Sequence, residues 1–228
     1  MINFKTISAI AVAAAVVAIV PIDNAQAAVI TGVTASTNMG AFSYYGIENT
    51  VNGYGLTNNL PSLTAAHAGN GYYDSWISSQ GKTTGNIDFN LNGQYSLQGF
   101  SFWKLSTWCV PGHGYSIKDV EISTSTDGTT YKPLIGAPTQ FSQGTDDATV
   151  YPEQFKVAPT IANHVRFKVL NTYVSEENSF AAFSEVQFDG TPYTAPPTAV
   201  PTPALLPGLI GLGVAALRKR KAEEADEA

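Results

Sequence analysis

The residues able to do acid, base or metal chemistry are few and scattered. His67, His113 and His164 are the three histidines, and no pair has a metal-ligand spacing such as His-x-x-x-His. Asp146-Asp147 sets two carboxylates side by side. Consecutive strand residues face opposite ways, and a carboxylate pair on a loop is ordinarily solvated, so no acid/base couple is expected there. The chain has no Gly-x-Ser-x-Gly elbow and no phosphate loop. What remains is recognition by aromatic surfaces. Tyr72-Tyr73 and the segment Trp108 to Tyr115, with His113 inside it, break strand alternation in Gly- and Pro-bearing stretches. An aromatic face covers the C–H face of a sugar while a histidine fixes hydroxyls, so Tyr72, Tyr73, Trp108, His113 and His67 are the candidate ligand-binding residues. Trp108 has a second reading, as a cap on the end of the fold. Cys109 is the single cysteine, which rules out an intramolecular disulfide; burial as a small hydrophobe is expected of it.

The elements that must position these residues are strands. Val120-Glu121-Ile122-Ser123 alternates with period two, and Asp127-Gly128 supplies a tight turn. Beyond it, a returning strand is expected to bring Tyr131 and Leu134 back onto the core. Asn86 to Leu91 alternates, a turn is expected at Asn92-Gly93, and Tyr95 to Trp103 follows as a second strand. Asn163 to Val169 and Ser184 to Gly190 alternate again. A length of 228 residues with only 13% charged side chains suits an exported all-β domain with tails. The net charge of −6, with no basic cluster before the C-terminal tail, argues against a nucleic-acid partner.

Taken in order, these motifs resemble the coagulation factor 5/8 type C (discoidin) family from Val29 to Gly190. The resemblance implies an all-β fold, an antiparallel β-sandwich (a galactose-binding-like jelly roll) over residues 28–190, which binds ligands with loops at one end. It implies that Trp76 packs under the sandwich edge. It also implies an early loop that holds calcium, and here the matching positions are Asn52, Thr57 and Glu185. Asn52 stands where relatives carry Asp. Calcium takes six to eight oxygens with negative charge among them, so this set is charge-poor, and an ion-free turn pinned by Asn52-Gly53 is the alternative.

Residues 1–27 read as a secretory signal peptide with a signal helix: Lys5, an apolar run from Ile7 to Val20, and Ala25-Gln26-Ala27 before a mature start at Ala28. Residues 191–200 form a Pro/Thr linker. Residues 201–228 combine Pro-Thr-Pro-Ala, a short hydrophobic helix from Ala204 to Leu217, and the basic cluster Arg218-Lys219-Arg220-Lys221. This tail resembles the PEP-CTERM sorting class in its cyanobacterial Pro-Thr-Pro-Ala variant. The resemblance implies transient membrane association and handling by an exosortase-type protease; a retained anchor is the alternative. Both readings place the domain outside the cytoplasmic membrane, at the cell surface, outer envelope or extracellular matrix.

Three functions compete: a non-catalytic module binding surface or extracellular glycan, a structural matrix or biofilm component without a small-ligand site, and a hydrolase. The first is expected, and an enzyme is not.

Overall fold

The computed structural model describes residues 28–68, 73–105, 115–174 and 179–196. Residues 1–27 and 201–228, on which the signal-peptide and sorting-tail expectations fall, and Tyr72, Trp108, Cys109 and His113 lie outside these residues.

Two long strands carry the fold. Strand β5 (Gly85–Trp103) and strand β9 (Glu153–Val169) run antiparallel, with Gly85 opposite Val169 and Phe102 opposite Glu153. Alternation decides their faces: Ile87, Phe89 and Leu91 are buried while Asp88 and Asn90 point away from the core, and Val165, Phe167 and Val169 repeat the pattern on β9. Around them lie β1 (Ala28–Val29), β2 (Thr34–Thr37), β6 (Val120–Ser125), β7 (Lys132–Pro133) and β11 (Glu185–Pro192). The sheet order is β1-β11-β5-β9-β6-β7, with β2 beside the first half of β5. Two small ribbons pair β3 (His67–Ala68) with β8 (Thr149–Val150), and β4 (Trp76–Ile77) with β10 (Ala182–Phe183).

The turn expected at Asn92-Gly93 is not a reversal. Both halves of β5 pair with β9 in the same sense, and the register shifts between Asn90 and Tyr95 and again between Leu97 and Gly99. Asn92 takes φ 55°, and the irregularity bends the strand rather than ending it. The bend folds the sheet over its own core, which is how one continuous ladder makes a sandwich. Phe89, in the first half of β5, meets Phe188 of β11 at 5.2 Å, and Phe100, in the second half, meets Phe167 of β9 at 5.4 Å. Phe102 stacks on Phe141 at 3.8 Å. Trp76 and Trp103 are fully buried, and their indole N–H groups donate to Gly40 O at 2.9 Å and Ala65 O at 3.0 Å.

The hairpin after β6 forms as its sequence requires. The Asp127 carboxylate accepts the N–H groups of Thr129 at 2.8 Å and Thr130 at 2.7 Å, which holds its pKa far below the usual carboxylate range. Leu134 reaches the core, but Tyr131 does not. Its hydroxyl donates to Asp88 Oδ1 at 3.3 Å and its ring lies under the Arg166 guanidinium at 4.0 Å, on the outer face of the sheet. A phenol with a charged partner outside gains less from entering an apolar core, where its O–H would go unpaired. At the C-terminal end, pairing continues past Gly190 to Pro192, and Tyr193 N–H donates to Gln94 O at 2.8 Å. The compact unit closes at Tyr193.

Candidate functional site

One end of the sandwich carries aromatic side chains that the core does not use. Tyr44 and Tyr73 are 61% and 56% exposed and their rings lie 5.9 Å apart. Phe42, 48% exposed, meets Phe180 edge-on at 5.2 Å, and Phe180 meets Tyr115 at 5.0 Å. The rings make two groups, Phe42 with Phe180 and Tyr115, and Tyr44 with Tyr73; only Ser43 separates Phe42 from Tyr44 in the chain, so the groups adjoin through that segment as an apron. A monomeric domain rarely spends so much aromatic surface on water, and such patches mark binding sites.

The apron is built by buried polar groups beneath it. The one-turn helix Ile47–Thr50 contains Asn49, 7% exposed, whose side-chain amide donates to Tyr44 O at 3.1 Å and to Ser75 O at 3.2 Å. That one amide ties the segment bearing Tyr44 to the segment bearing Tyr73. Phe42 N–H donates to Ile77 O at 2.8 Å, so the first segment also leans on β4. Ser78 fixes the third segment: its N–H donates to Ala181 O at 2.8 Å, and its Oγ accepts Ala181 N–H at 2.9 Å, next to Phe180. Three loops far apart in sequence are therefore held at one end by backbone-directed bonds, which fix ring positions without covering the rings.

Of the sequence-predicted ligand residues, Tyr73 is in the apron, as is Tyr115 at the end of the predicted loop; Tyr72, Trp108 and His113 lie outside the described residues. His67 is a correction. It is fully buried, its Nδ1 donates to Ala68 O at 2.5 Å, and burial pushes its pKa down. The room for its ring comes from Gly55 at φ +94°, where a Cβ would stand 2.6 Å from His67 Nε2. His67 is packed inside and presents nothing to a ligand. Phe42, Tyr44 and Phe180 were missed by sequence reasoning. The signal was present in Phe42-Ser43-Tyr44-Tyr45, an aromatic run without strand alternation between Gly40 and Gly46. Asp146 and Asp147 are exposed.

The three residues of the predicted calcium set differ in burial, Glu185 being inside and Asn52 and Thr57 at the surface. Glu185, fully buried at the start of β11, accepts Gly53 N–H on Oε1 at 3.0 Å and also the side-chain amide of Gln187. Burial, with Asp74 adding like charge, pushes its carboxyl up to about 8, against the lowering effect of those two donors. Its Oε2 is buried with no hydrogen-bond partner. Asn52 is exposed and its Oδ1 accepts Tyr54 N–H at 2.7 Å, while the exposed Thr57 hydroxyl donates to Ala66 O at 3.2 Å. Those bonds leave lone pairs on both oxygens. The early loop is thus seated on Glu185 through the backbone of Gly53. Among the described residues no group of three or more His, Cys, Asp or Glu side chains is placed to hold a metal.

A model of the F5/8 type C domain matches residues 32–186. Solved structures similar to this chain include a CBM32 module, CBM32-3 from a family 31 glycoside hydrolase of Clostridium perfringens, at 17% identity and TM-score 0.49, covering 73% of this chain and 96% of that one. A second, CpGH89CBM32-5 from the same organism in complex with GalNAc-beta-1,3-galactose, is 17% identical with TM-score 0.42, covering 68% and 94%. A third is a family 89 glycoside hydrolase of Clostridium perfringens in complex with 2-acetamido-1,2-dideoxynojirmycin, at 16% identity and TM-score 0.48; 75% of this chain is covered, but only 16% of that one. The chain thus spans about a sixth of the length of that hydrolase. No curated protein matches.

Proposed function

The chain belongs to the F5/8 type C domain family, and from that premise we propose that it is an exported, non-catalytic carbohydrate-binding or adhesion module that holds surface or matrix glycan on its aromatic end. The observation that carries the reading is the apron, in which Phe42, Tyr44 and Tyr73 are exposed and Tyr115 and Phe180 are half-buried, fastened from beneath by Asn49 and Ser78. Sugar rings present C–H faces that stack on such surfaces, and recognition of this kind asks for no nucleophile or proton donor. A glycan array with the full chain tests it, repeated with Tyr44→Ala and Phe42→Ala. Binding that falls about tenfold or more while the melting temperature holds supports the apron. Binding unaffected by both variants refutes it, and release of new reducing ends from a bound glycan refutes the non-catalytic reading.

The proposal includes export and sorting. It draws on the signal-like segment ending at Ala27 and the tail of Pro-Thr-Pro-Ala, apolar run and basic cluster, handled by an exosortase-type protease that leaves the domain at the cell surface or in the extracellular matrix. Intact mass of native material checks this: a chain starting at Ala28 and lacking Arg218 to Ala228 is expected, and recovery of those residues refutes tail removal.

A calcium ion held by Glu185, with Asn52 and Thr57, is the remaining part of the proposal. The buried Glu185 Oε2 without a partner is the observation in its favour, and an ion there would supply the missing counter-charge and stabilise the early loop by linkage. Equal melting temperatures in calcium and in chelator refute it.

A further inference from the structure

The outer face of the sheet carries polar side chains in register. Ser36, Asp88, Arg166 and Ser123 stand opposite one another on β2, β5, β9 and β6. Thr34, Asn90 and His164 form the adjacent row. A polar outer face is ordinary for an antiparallel sheet; a walled one is not. Here the hairpin after β6 leans back over the rows, and Tyr131 stacks against Arg166 at 4.0 Å with its hydroxyl on Asp88. The stacked pair divides a groove into two hollows, both lined by Tyr131 and Arg166. One, of about 500 Å³, reaches Glu121 and Lys168; the other, of about 370 Å³, reaches Thr34, Ser36 and His164.

The walls are set in advance. Asp127 locks the turn through Thr129 and Thr130. Gly128, at φ +73°, lets the turn approach His164 so closely that a Cβ would stand 3.1 Å from its Nε2. Arg166 is the only arginine before Arg218. Its Nε donates to Asp88 Oδ1 at 2.6 Å, which uses one of five N–H donors. Charges cancel along the floor, since Arg166 pairs with Asp88 and Lys168 with Glu121 at 2.8 Å. The smaller hollow therefore offers hydroxyl, amide and imidazole groups, and the larger one sets an apolar wall of Ile122, Pro133, Leu134 and Pro138 beside its ion pair, with no net charge from the ion pairs, across strands whose spacing gives about 14 Å from β2 to β6.

We infer that this groove is a second carbohydrate site, taking a neutral oligosaccharide laid across the strands. It does not depend on the apron binding anything. If both sites are filled, one domain bridges two glycan chains, and linkage raises the apparent affinity of each for a polymer.

The test is a titration of the ¹⁵N-labelled full chain with neutral gluco-, galacto- and manno-oligosaccharides, and with an oligogalacturonate for comparison. Saturable shifts are expected at the amides of Gly128, Thr130 and Arg166 with at least one neutral sugar. Those shifts should persist in Tyr44→Ala and weaken about tenfold or more in Tyr131→Ala, which removes the partition. Should Tyr131→Ala fail to fold, Thr34→Trp decides, because it fills the smaller hollow from an exposed position and leaves the core intact. Shifts confined to Phe42–Tyr45 and Phe180 overturn the second site and leave the apron standing. Silence with every neutral sugar, tighter binding of the uronate, or indifference to Thr34→Trp also overturns it.

Discussion

Asn49 touches no ligand in the proposed arrangement, yet its replacement should damage binding and folding together. Its amide makes two hydrogen bonds, to Tyr44 O at 3.1 Å and Ser75 O at 3.2 Å, and the residue is 7% exposed. Asn49→Ala removes both and leaves carbonyls that water reaches poorly. Each loss costs about 1 to 2 kcal/mol once the unpaired acceptor is included, so the total is about 2 to 4 kcal/mol. For a folded unit of this size that is about 5 to 15 °C in melting temperature. Calorimetry reads this directly. The same substitution frees the Tyr44 segment from the Tyr73 segment, so glycan affinity should fall at least as far as in Tyr44→Ala. Asn49→Asp separates donor from volume: a carboxylate keeps the shape but has no N–H to give, and at neutral pH it should be no better than alanine. A melting temperature within about 2 °C of the parent, or full glycan binding in Asn49→Ala, would refute the claim that this amide positions the apron.

Phe100→Ala should cost about 3 to 5 kcal/mol, since this ring meets Phe141, Phe155, Phe167 and Phe188 where the bent sheet closes on itself; denaturant melts with an unchanged m-value check it. In chelator, Glu185 should make the domain less stable as pH rises. Its carboxyl is raised from 4.5 to about 8 by burial, so the native state holds a proton that the unfolded chain has lost, and stability falls by about 1 kcal/mol per pH unit across that interval. Glu185→Gln should flatten that slope in melts between pH 5 and 8; an equal slope in both proteins counts against it. Gly55→Ala should destabilise by about 2 kcal/mol or more, because the φ of +94° is strained for alanine and its Cβ would meet the His67 ring; an unchanged melt would show that the loop yields.

Local chemistry was enough to determine the strands and their faces. Alternation in Asn86 to Leu91 and Asn163 to Val169 follows from the two-residue period of a pleated chain, and Asp127-Gly128 makes its turn with bonds to its immediate neighbours; in Ser184 to Gly190 the strand is as read but both faces are buried, Glu185 and Gln187 included. The order of these pieces also carried the family. Tertiary structure decided what the period leaves open. Whether Asn92-Gly93 reverses or merely bends the chain depends on β9 pairing along both halves of β5. Whether Tyr131 enters the core depends on Asp88 and Arg166, distant in sequence, offering it partners outside. His67 looked like a surface histidine until Gly55 made room for it inside. The apron and the groove are both products of register and of loops converging from remote segments, with Gly53 meeting Glu185 across 132 residues. Side-chain type fixes which face of a strand is buried, but only the pairing of distant strands fixes which side chains become neighbours on the surface.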